Sequence, residues 1–163
     1  MIAIAADRST IAARWSDDRV VVVVLCAAWC DTCTGVRMAV ERIAAARPEA
    51  LCVWLDIGGD ADICGDVENF PTLAIYRGAT LLHYGISLPQ EGAVARLLDE
   101  MAGRSAAVRD APEPVLALPN ALREWGGELR ARREQAAVSA VPYWKREGAC
   151  DRPGRTRSAA LSR

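Results

Sequence analysis

The hydrophobic positions of this chain fall into short apolar runs separated by segments with helical spacing. Val20–Ala27 is continuously apolar and rich in β-branched residues, which is typical of a strand buried on both faces of a parallel sheet. Val36, Val40 and Ile43 then recur at a spacing that predicts one apolar face of a helix. Leu51–Leu55 is the next apolar run, so the order strand, helix, strand predicts a β-α-β unit.

The segments before and after this unit predict the remaining elements of a domain. Met1–Ala5 and Ser9–Trp15 predict a short strand and a short helix. A polar connection over Ala61–Glu68, with one helical turn, leads to two apolar runs around Gly78 that predict a β-hairpin, and a last helix ends near Gly103. With right-handed crossovers, these elements predict an α/β fold in which helices flank a central mixed sheet.

Charge divides the chain into two parts. Residues 1–103 carry a formal charge of −6, whereas residues 104–163 carry +5. We therefore predict a domain over residues 1–103 and a basic C-terminal extension over residues 104–163, with the boundary before the proline-containing segment Ala111–Pro114. Within the extension, apolar residues at helical spacing predict a helix over residues 118–140 with Asn120 as its cap, and the remainder is predicted to be disordered.

The sequence favours a cytoplasmic location. Its first residues lack the basic region of a signal peptide, and no apolar run approaches the length of a membrane helix. The six cysteines are then expected to be mostly reduced. A close cysteine pair in that setting is more often catalytic or metal-binding than a structural disulfide.

One such pair lies in Trp29-Cys30-Asp31-Thr32-Cys33, where the valine-rich strand ends and the helix begins. At a helix N-terminus, backbone N–H groups and the helix dipole favour a thiolate at Cys30. A thiolate attacks a disulfide, and the second thiol then resolves the mixed disulfide. Metal binding by this pair is disfavoured, because two thiolates fill only half of a tetrahedral site. The motif therefore predicts thiol–disulfide exchange.

With this motif in its context, residues 1–103 resemble the thioredoxin family. The resemblance rests on the valine-rich strand, on Trp29-Cys30-x-x-Cys33, on Phe70-Pro71-Thr72 at the head of a strand, and on the glycines Gly78 and Gly85 beyond it. It implies a three-layer α/β/α fold with a central mixed sheet. It also implies the activity of a protein-disulfide oxidoreductase with a redox-active cysteine pair.

The resemblance also implies a role for each motif residue. Cys30 corresponds to the attacking nucleophile and Cys33 to the buried resolving thiol. Pro71 corresponds to the cis-proline that faces the cysteine pair, while Trp29 and Phe70 add an apolar rim for the substrate chain. The implied partners are protein disulfide substrates and a thiol reductant system, either a flavin-dependent reductase or glutathione. No tightly bound cofactor, metal or membrane is implied.

Several positions depart from the family pattern. Asp31 and Thr32 stand between the cysteines where the family often has Gly-Pro, and a carboxylate beside Cys30 disfavours its thiolate. Val24 stands where the family has a buried aspartate that is thought to relay a proton for the resolving cysteine. An alternative hypothesis is therefore a redox-inactive docking or assembly factor that uses a thioredoxin fold to bind peptides.

The other cysteines leave further hypotheses open. Cys26, Cys30 and Cys33 match the spacing of the cluster-binding cysteines of radical SAM enzymes, but the position of Cys26 within a predicted strand argues against a cluster. Cys64, in the polar connection, is either a regulatory thiol or incidental. Cys150, in the tail, is expected to be a free thiol.

The basic tail allows three readings. An amphipathic helix that carries a basic cluster, Arg130, Arg132 and Arg133, suggests docking of a partner or of the domain itself, and the opposite charges of domain and tail favour self-association. Plain disorder explains the tail equally well. Contact with nucleic acid through the arginines and Tyr143-Trp144 is less favoured.

Overall fold

Strands in the described part of the chain, residues 3–4 and 8–124 of a computed structural model, form one five-stranded mixed sheet. The strands are β1 (Ala3–Ile4), β2 (Val20–Cys26), β3 (Leu51–Asp56), β4 (Thr72–Arg77) and β5 (Thr80–Ile86). They lie in the order β1-β3-β2-β4-β5. β3 runs parallel to β1 and β2, whereas β4 runs antiparallel to β2 and β5. The predicted central mixed sheet is confirmed.

The helices lie on the two faces of this sheet. They are α1 (Arg8–Arg14), α2 (Asp31–Ala46), α3 (Ala61–Cys64) and α4 (Glu91–Ala102), and residues 113–124 are also helical. α2 and α4 pack on one face, while α1, α3 and the helical residues 113–124 pack on the other. The three-layer α/β/α arrangement is therefore confirmed. None of the helices in the described residues is both long enough and apolar enough to span a membrane.

Alternation along β2 supplies both layers of the core. Its odd-numbered residues, 21 to 25, belong to the core on the α1 side, and its even-numbered residues from Val22 to Cys26 belong to the core beneath α2. Successive side chains of a strand point to opposite faces, so a central strand covered on both sides is apolar throughout. This alternation places Cys26 on the side of the sheet that carries α2.

Element ends agree with the sequence where proline or glycine marks them. α2 ends at Ala46, because Pro48 cannot continue a helix and disfavours helical backbone in the residue before it. The hairpin turns at Gly78, whose φ is +57°; a Cβ there would lie 2.8 Å from the carbonyl oxygen of Asp17. Both the positive φ and the close approach require glycine.

Residues after 103 continue the packing on the α1 side. The Val108 N–H donates to the Leu81 carbonyl oxygen at 2.8 Å, at the edge strand β5. Val115, Leu118 and Leu122 are fully buried in the core that also contains α1. The division of the chain at residue 103 stays a prediction. The predicted features beyond residue 124, which include the arginines and Cys150, lie outside the described residues.

The helix predicted in this segment begins earlier than its proposed cap. Residues 113–124 are helical, and the Leu116 N–H already donates to the Pro112 carbonyl oxygen at 3.1 Å. Asn120 therefore lies inside the helix, and its prediction as the cap is wrong. Prolines at 112 and 114 favour a helix start there, because the N–H groups of the first helical turn have no acceptor within the helix and a proline there costs no hydrogen bond.

Pro119 removes one backbone donor from these helical residues. In an α-helix the N–H of residue 119 would donate to the carbonyl of Val115, but proline has no N–H. The Tyr76 hydroxyl donates to the Val115 oxygen instead, at 2.8 Å. Tyr76 is itself fully buried on β4. One hydrogen bond thus satisfies two buried polar groups and ties the helical segment to the sheet.

Candidate active site

Cys30 and Cys33 lie where β2 passes into α2. Cys30 is the N-cap residue of α2, with extended backbone, and Cys33 lies in the first turn. The Cys30 N–H donates to the Ala27 carbonyl oxygen at 3.0 Å, and the Cys33 N–H donates to the Cys30 carbonyl oxygen at 3.1 Å. Cys30 is half-buried, whereas only 2% of Cys33 is exposed. The loop therefore leaves one thiol accessible and holds the other beneath it.

Cys26 brings a third thiol to this pair. It is buried in the same core as Cys33, and Cys30 packs against that core, so the three thiols lie close together. Burial raises the pKa of Cys33, and the neighbouring Cys26 thiol acts in the opposite direction. Burial, reinforced by the neighbouring Cys33, strongly raises the pKa of Cys26. The three thiols therefore form a cluster that extends from the core to the half-buried Cys30.

An apolar rim lies beside the cysteine pair. Trp29 is 74% exposed, and its ring meets the ring of Phe70 edge-on with centroids 5.7 Å apart. The Phe70–Pro71 peptide bond is cis, in agreement with the resemblance, and the Pro71 carbonyl oxygen accepts a hydrogen bond from Ser87 N–H at 2.9 Å. Ile86, which pairs with Thr72 at the start of β4, is also exposed. The surface around Phe70 is thus apolar and open.

Asp56 fixes the loop that carries the motif. It ends β3 opposite Cys26, and its Oδ1 accepts hydrogen bonds from the backbone N–H groups of Ala28 and Gly58, both at 3.2 Å. The Ile57 N–H donates to the Cys26 carbonyl oxygen at 2.9 Å. Sequence reasoning missed both Cys26 and Asp56 as parts of the site. The signal for Cys26 was its even position in β2, but nothing local indicated that Asp56 bonds to the motif loop.

Comparisons with known proteins place this geometry in a known fold. No protein-family model matches the sequence, and no curated protein matches it. Among solved structures, the oxidised thioredoxin from Plasmodium falciparum matches with a TM-score of 0.53 and 16% identity, over 63% of this chain and 100% of that one. Thioredoxin from Trypanosoma brucei brucei matches with a TM-score of 0.51 and 20% identity, over 64% of this chain and 93% of that one. Thioredoxin from Fasciola hepatica matches with a TM-score of 0.50 and 21% identity, over 61% of this chain and 97% of that one.

The chain has a thioredoxin-like fold. Identities near 20% establish the shared fold and leave activity to be argued from the site. Within this thioredoxin-like fold, Cys30, Cys33 and the cis Phe70–Pro71 bond stand at the positions that the sequence resemblance indicated. Asp31 and Thr32, between the cysteines, are exposed.

Val24 is apolar at the position where the sequence resemblance implied a buried aspartate. It is fully buried and pairs with Trp54 of β3 and Leu73 of β4. The guanidinium of Arg37 lies over the Trp54 ring, 5.5 Å from its centroid. Val24 therefore provides no group at this position that could exchange protons with Cys33.

The other described cysteines are shielded from solvent. Cys64 is fully buried, and its thiol donates to the Asp60 carbonyl oxygen at 3.1 Å. Burial raises the pKa of Cys64 and of Cys52, each to about 11. A regulatory role for Cys64 as an accessible thiol is therefore not supported. No group of three or more His, Cys, Asp or Glu side chains in the described residues is arranged to hold a metal ion.

Proposed function

We propose that this protein is a thiol–disulfide oxidoreductase that exchanges disulfides with protein substrates through Cys30 and Cys33. One observation carries the proposal. The half-buried Cys30 stands at the N-terminus of α2, and the buried Cys33 lies beneath it in the first turn of the same helix. An accessible thiol beside a shielded one suits attack followed by resolution. The thioredoxin-like fold supports the same assignment.

The reaction proceeds by two exchange steps. Cys30 as a thiolate attacks one sulfur of a substrate disulfide, and the other substrate sulfur leaves as a thiolate. Cys33 as a thiolate then attacks the Cys30 sulfur, which forms the Cys30–Cys33 disulfide and releases the second substrate thiolate. Two electrons have passed to the substrate. A reductant then supplies two new electrons to reduce the Cys30–Cys33 disulfide: either glutathione, which becomes glutathione disulfide, or a flavin-dependent reductase. The same steps in reverse oxidise a dithiol.

The apolar rim is proposed to bind the substrate chain. The exposed Trp29 ring, braced by Phe70, offers an apolar surface beside Cys30, and the backbone of Phe70 is proposed to pair with an extended segment of the substrate. Aromatic side chains that remain exposed beside a reactive group are typical of recognition surfaces. We place this exchange in the cytoplasm, where thiol reductants keep such a pair reduced.

The reduction potential of the Cys30–Cys33 pair tests the proposal. The protein is equilibrated in graded glutathione buffers, and its free thiols are trapped and counted by mass, with Cys33→Ser as the control that cannot close the disulfide. We expect one two-electron transition between about −270 and −120 mV, the span of known Cys-x-x-Cys proteins. If no Cys30–Cys33 disulfide forms at any potential of the glutathione buffer, the proposed redox function is wrong, and the alternative hypothesis of a peptide-docking factor is left.

A further inference from the structure

The apolar rim beside Cys30 has an acidic border that the proposed exchange does not use. We propose that this rim binds a cationic segment of the substrate, in which arginine or lysine side chains flank the disulfide cysteine, and that Asp66 and Glu68 select for those charges. The inference rests on the proposed function of Cys30 and Cys33, and it names the class of protein that they act on.

The apolar rim extends beyond its two aromatic rings. Ile86 and Leu88 are 65% and 62% exposed, whereas Ser87 between them is buried. The Ser87 N–H donates to the Pro71 carbonyl oxygen at 2.9 Å, so both apolar side chains flank the residue that is bonded to the cis-proline. Large apolar side chains that are exposed together beside a reactive group mark an interaction surface. The rim can therefore cover apolar residues of an extended segment.

Asp66 and Glu68 lie in the segment that leads to the cis-proline. Both are exposed, whereas Val67 between them is buried in the core on the α1 side. The inward position of Val67 leaves the two neighbouring carboxylates at the surface. The Thr72 hydroxyl donates to the Asn69 carbonyl oxygen at 2.7 Å, which holds the end of this segment beside the rim. The carboxylates thus border the rim at a fixed place in the fold.

These carboxylates have no cationic partner in the described part of the chain. Neither they nor Asp31, which is exposed directly after Cys30, form a salt bridge with a described residue. Arg8, which reaches this end of the sheet from α1, is already paired with Asp60 at 2.6 Å.

The backbone segments at this end of the sheet add no positive charge. They follow β2, β3 and β5 and precede β4, and the strand pairing brings them to one end. None of them contains arginine or lysine: residues 27–30, 57–60, 65–71 and 87–90. A substrate that approaches Cys30 therefore meets an apolar surface with negative charge around it.

Charge complementarity decides which segment fits this surface. Basic side chains beside the substrate cysteine pair with the carboxylates, whereas an acidic segment is repelled. Opposite charge also raises the rate of encounter tenfold or more, and added salt screens this effect. The selection therefore acts on the first exchange step, in which Cys30 meets the substrate disulfide.

Three short peptides measure this selection. Each has one cysteine between two leucines, flanked on both sides by arginine, by glutamine or by glutamate, and the cysteine carries 2-nitro-5-thiobenzoate in a mixed disulfide. When Cys30 attacks the peptide sulfur, the disulfide of the probe breaks and the coloured nitrothiobenzoate leaves with the electron pair. The full chain is used with Cys33→Ser and Cys150→Ser, so that the peptide stays on Cys30, where mass spectrometry detects it.

We expect the arginine peptide to react about tenfold faster than the glutamate peptide at low ionic strength, with the glutamine peptide between them and the ratio falling as salt is added. Asp66→Asn with Glu68→Gln should lower the ratio to about threefold, and Asp66→Lys with Glu68→Lys should reverse the order. The matched control is Asp18→Asn with Glu49→Gln, which neutralises two exposed carboxylates at the opposite end of the sheet and should leave the ratio unchanged. Circular dichroism checks the fold of each variant.

The possible results are distinct. If the control pair lowers the ratio as much as the Asp66 and Glu68 pair does, net charge selects the peptide and the inference is wrong. If the three peptides react at one rate, or the glutamate peptide reacts fastest, the inference is also wrong, while a Cys30–Cys33 disulfide in the protein with both cysteines leaves the proposed function standing. If that disulfide does not form and the arginine peptide still reacts fastest, the proposed function fails and the cationic partner of this surface is supported.

Discussion

The hydrogen bond from Tyr76 to Val115 allows a direct measurement of what holds the helical residues 113–124 on the domain. In Tyr76→Phe the ring stays and the hydroxyl is lost. The buried Val115 carbonyl then has no donor, because Pro119 lacks the N–H that a helix would supply. A hydrogen bond contributes about 1 kcal/mol, and a buried partner left unpaired costs about 1 to 3 kcal/mol. We expect the free energy of unfolding to fall by about 2 kcal/mol.

Urea unfolding of the full chain, followed by far-UV circular dichroism, measures this loss. The midpoint should fall with the slope unchanged, which indicates a change in stability rather than in the unfolded state. Tyr84→Phe is the matched control, because Tyr84 is a half-buried tyrosine on β5 whose hydroxyl makes no hydrogen bond with the described residues. Tyr84→Phe should lower the free energy of unfolding by less than about 0.5 kcal/mol.

A double-mutant cycle tests the role of proline. Pro119→Ala returns an N–H that can donate to the Val115 carbonyl, so Tyr76→Phe should cost about 1 kcal/mol less in that background. An equal loss in both backgrounds would refute the account of the Val115 carbonyl. A loss in Tyr76→Phe no larger than in Tyr84→Phe would show that the hydroxyl contributes nothing.

Two further predictions concern the backbone and pH. Gly78→Ala should lower the free energy of unfolding by at least about 1 kcal/mol, because φ is positive there and a Cβ would meet the backbone of Asp17. Gly92→Ala in α4 should instead raise the free energy of unfolding by up to about 1 kcal/mol, since a Cβ there has open space. Urea unfolding of both variants checks the contrast. Burial raises the pKa of Cys52 from 9.0 to about 11, so its contribution to stability is complete below pH 9.0 and is lost as pH rises to about 11. Cys52→Ala should therefore reduce the alkaline loss of stability by about 2 to 3 kcal/mol at most, and an unchanged slope of stability against pH would contradict this.

The cysteine pair could be predicted because its determinants are adjacent in the chain. A β-branched run, a Cys-x-x-Cys motif and a helical face follow one another, and each carries its own local signal. The proton environment of Cys33 could not be predicted in the same way. The position of Cys26 in the strand was known, but its contact with Cys33 depends on where α2 crosses the sheet.

The segment after residue 103 shows the opposite case, in which local signals misled. Asn120 has the residue type of a helix cap, and Pro119 before it is typical of a helix break. The helix nevertheless runs through both, because Tyr76 in a distant strand donates to the carbonyl that Pro119 leaves unpaired. A tertiary hydrogen bond here overrides the local preference.

The sequence by itself determined the order of strands and helices, the mixed sheet and the position of the two motif cysteines, since periodicity and turn residues act over a few neighbouring positions. Only the tertiary structure decided that Cys26 meets Cys33, that Asp56 holds the motif loop and that residues 108–122 pack on the sheet. Apart from Cys26 and Cys33, which are neighbours across the β2–α2 junction, these contacts join residues far apart in the chain. Side-chain direction and strand register together determine them. Such pairings arise when buried polar groups find partners in the assembled core, and no local pattern records them.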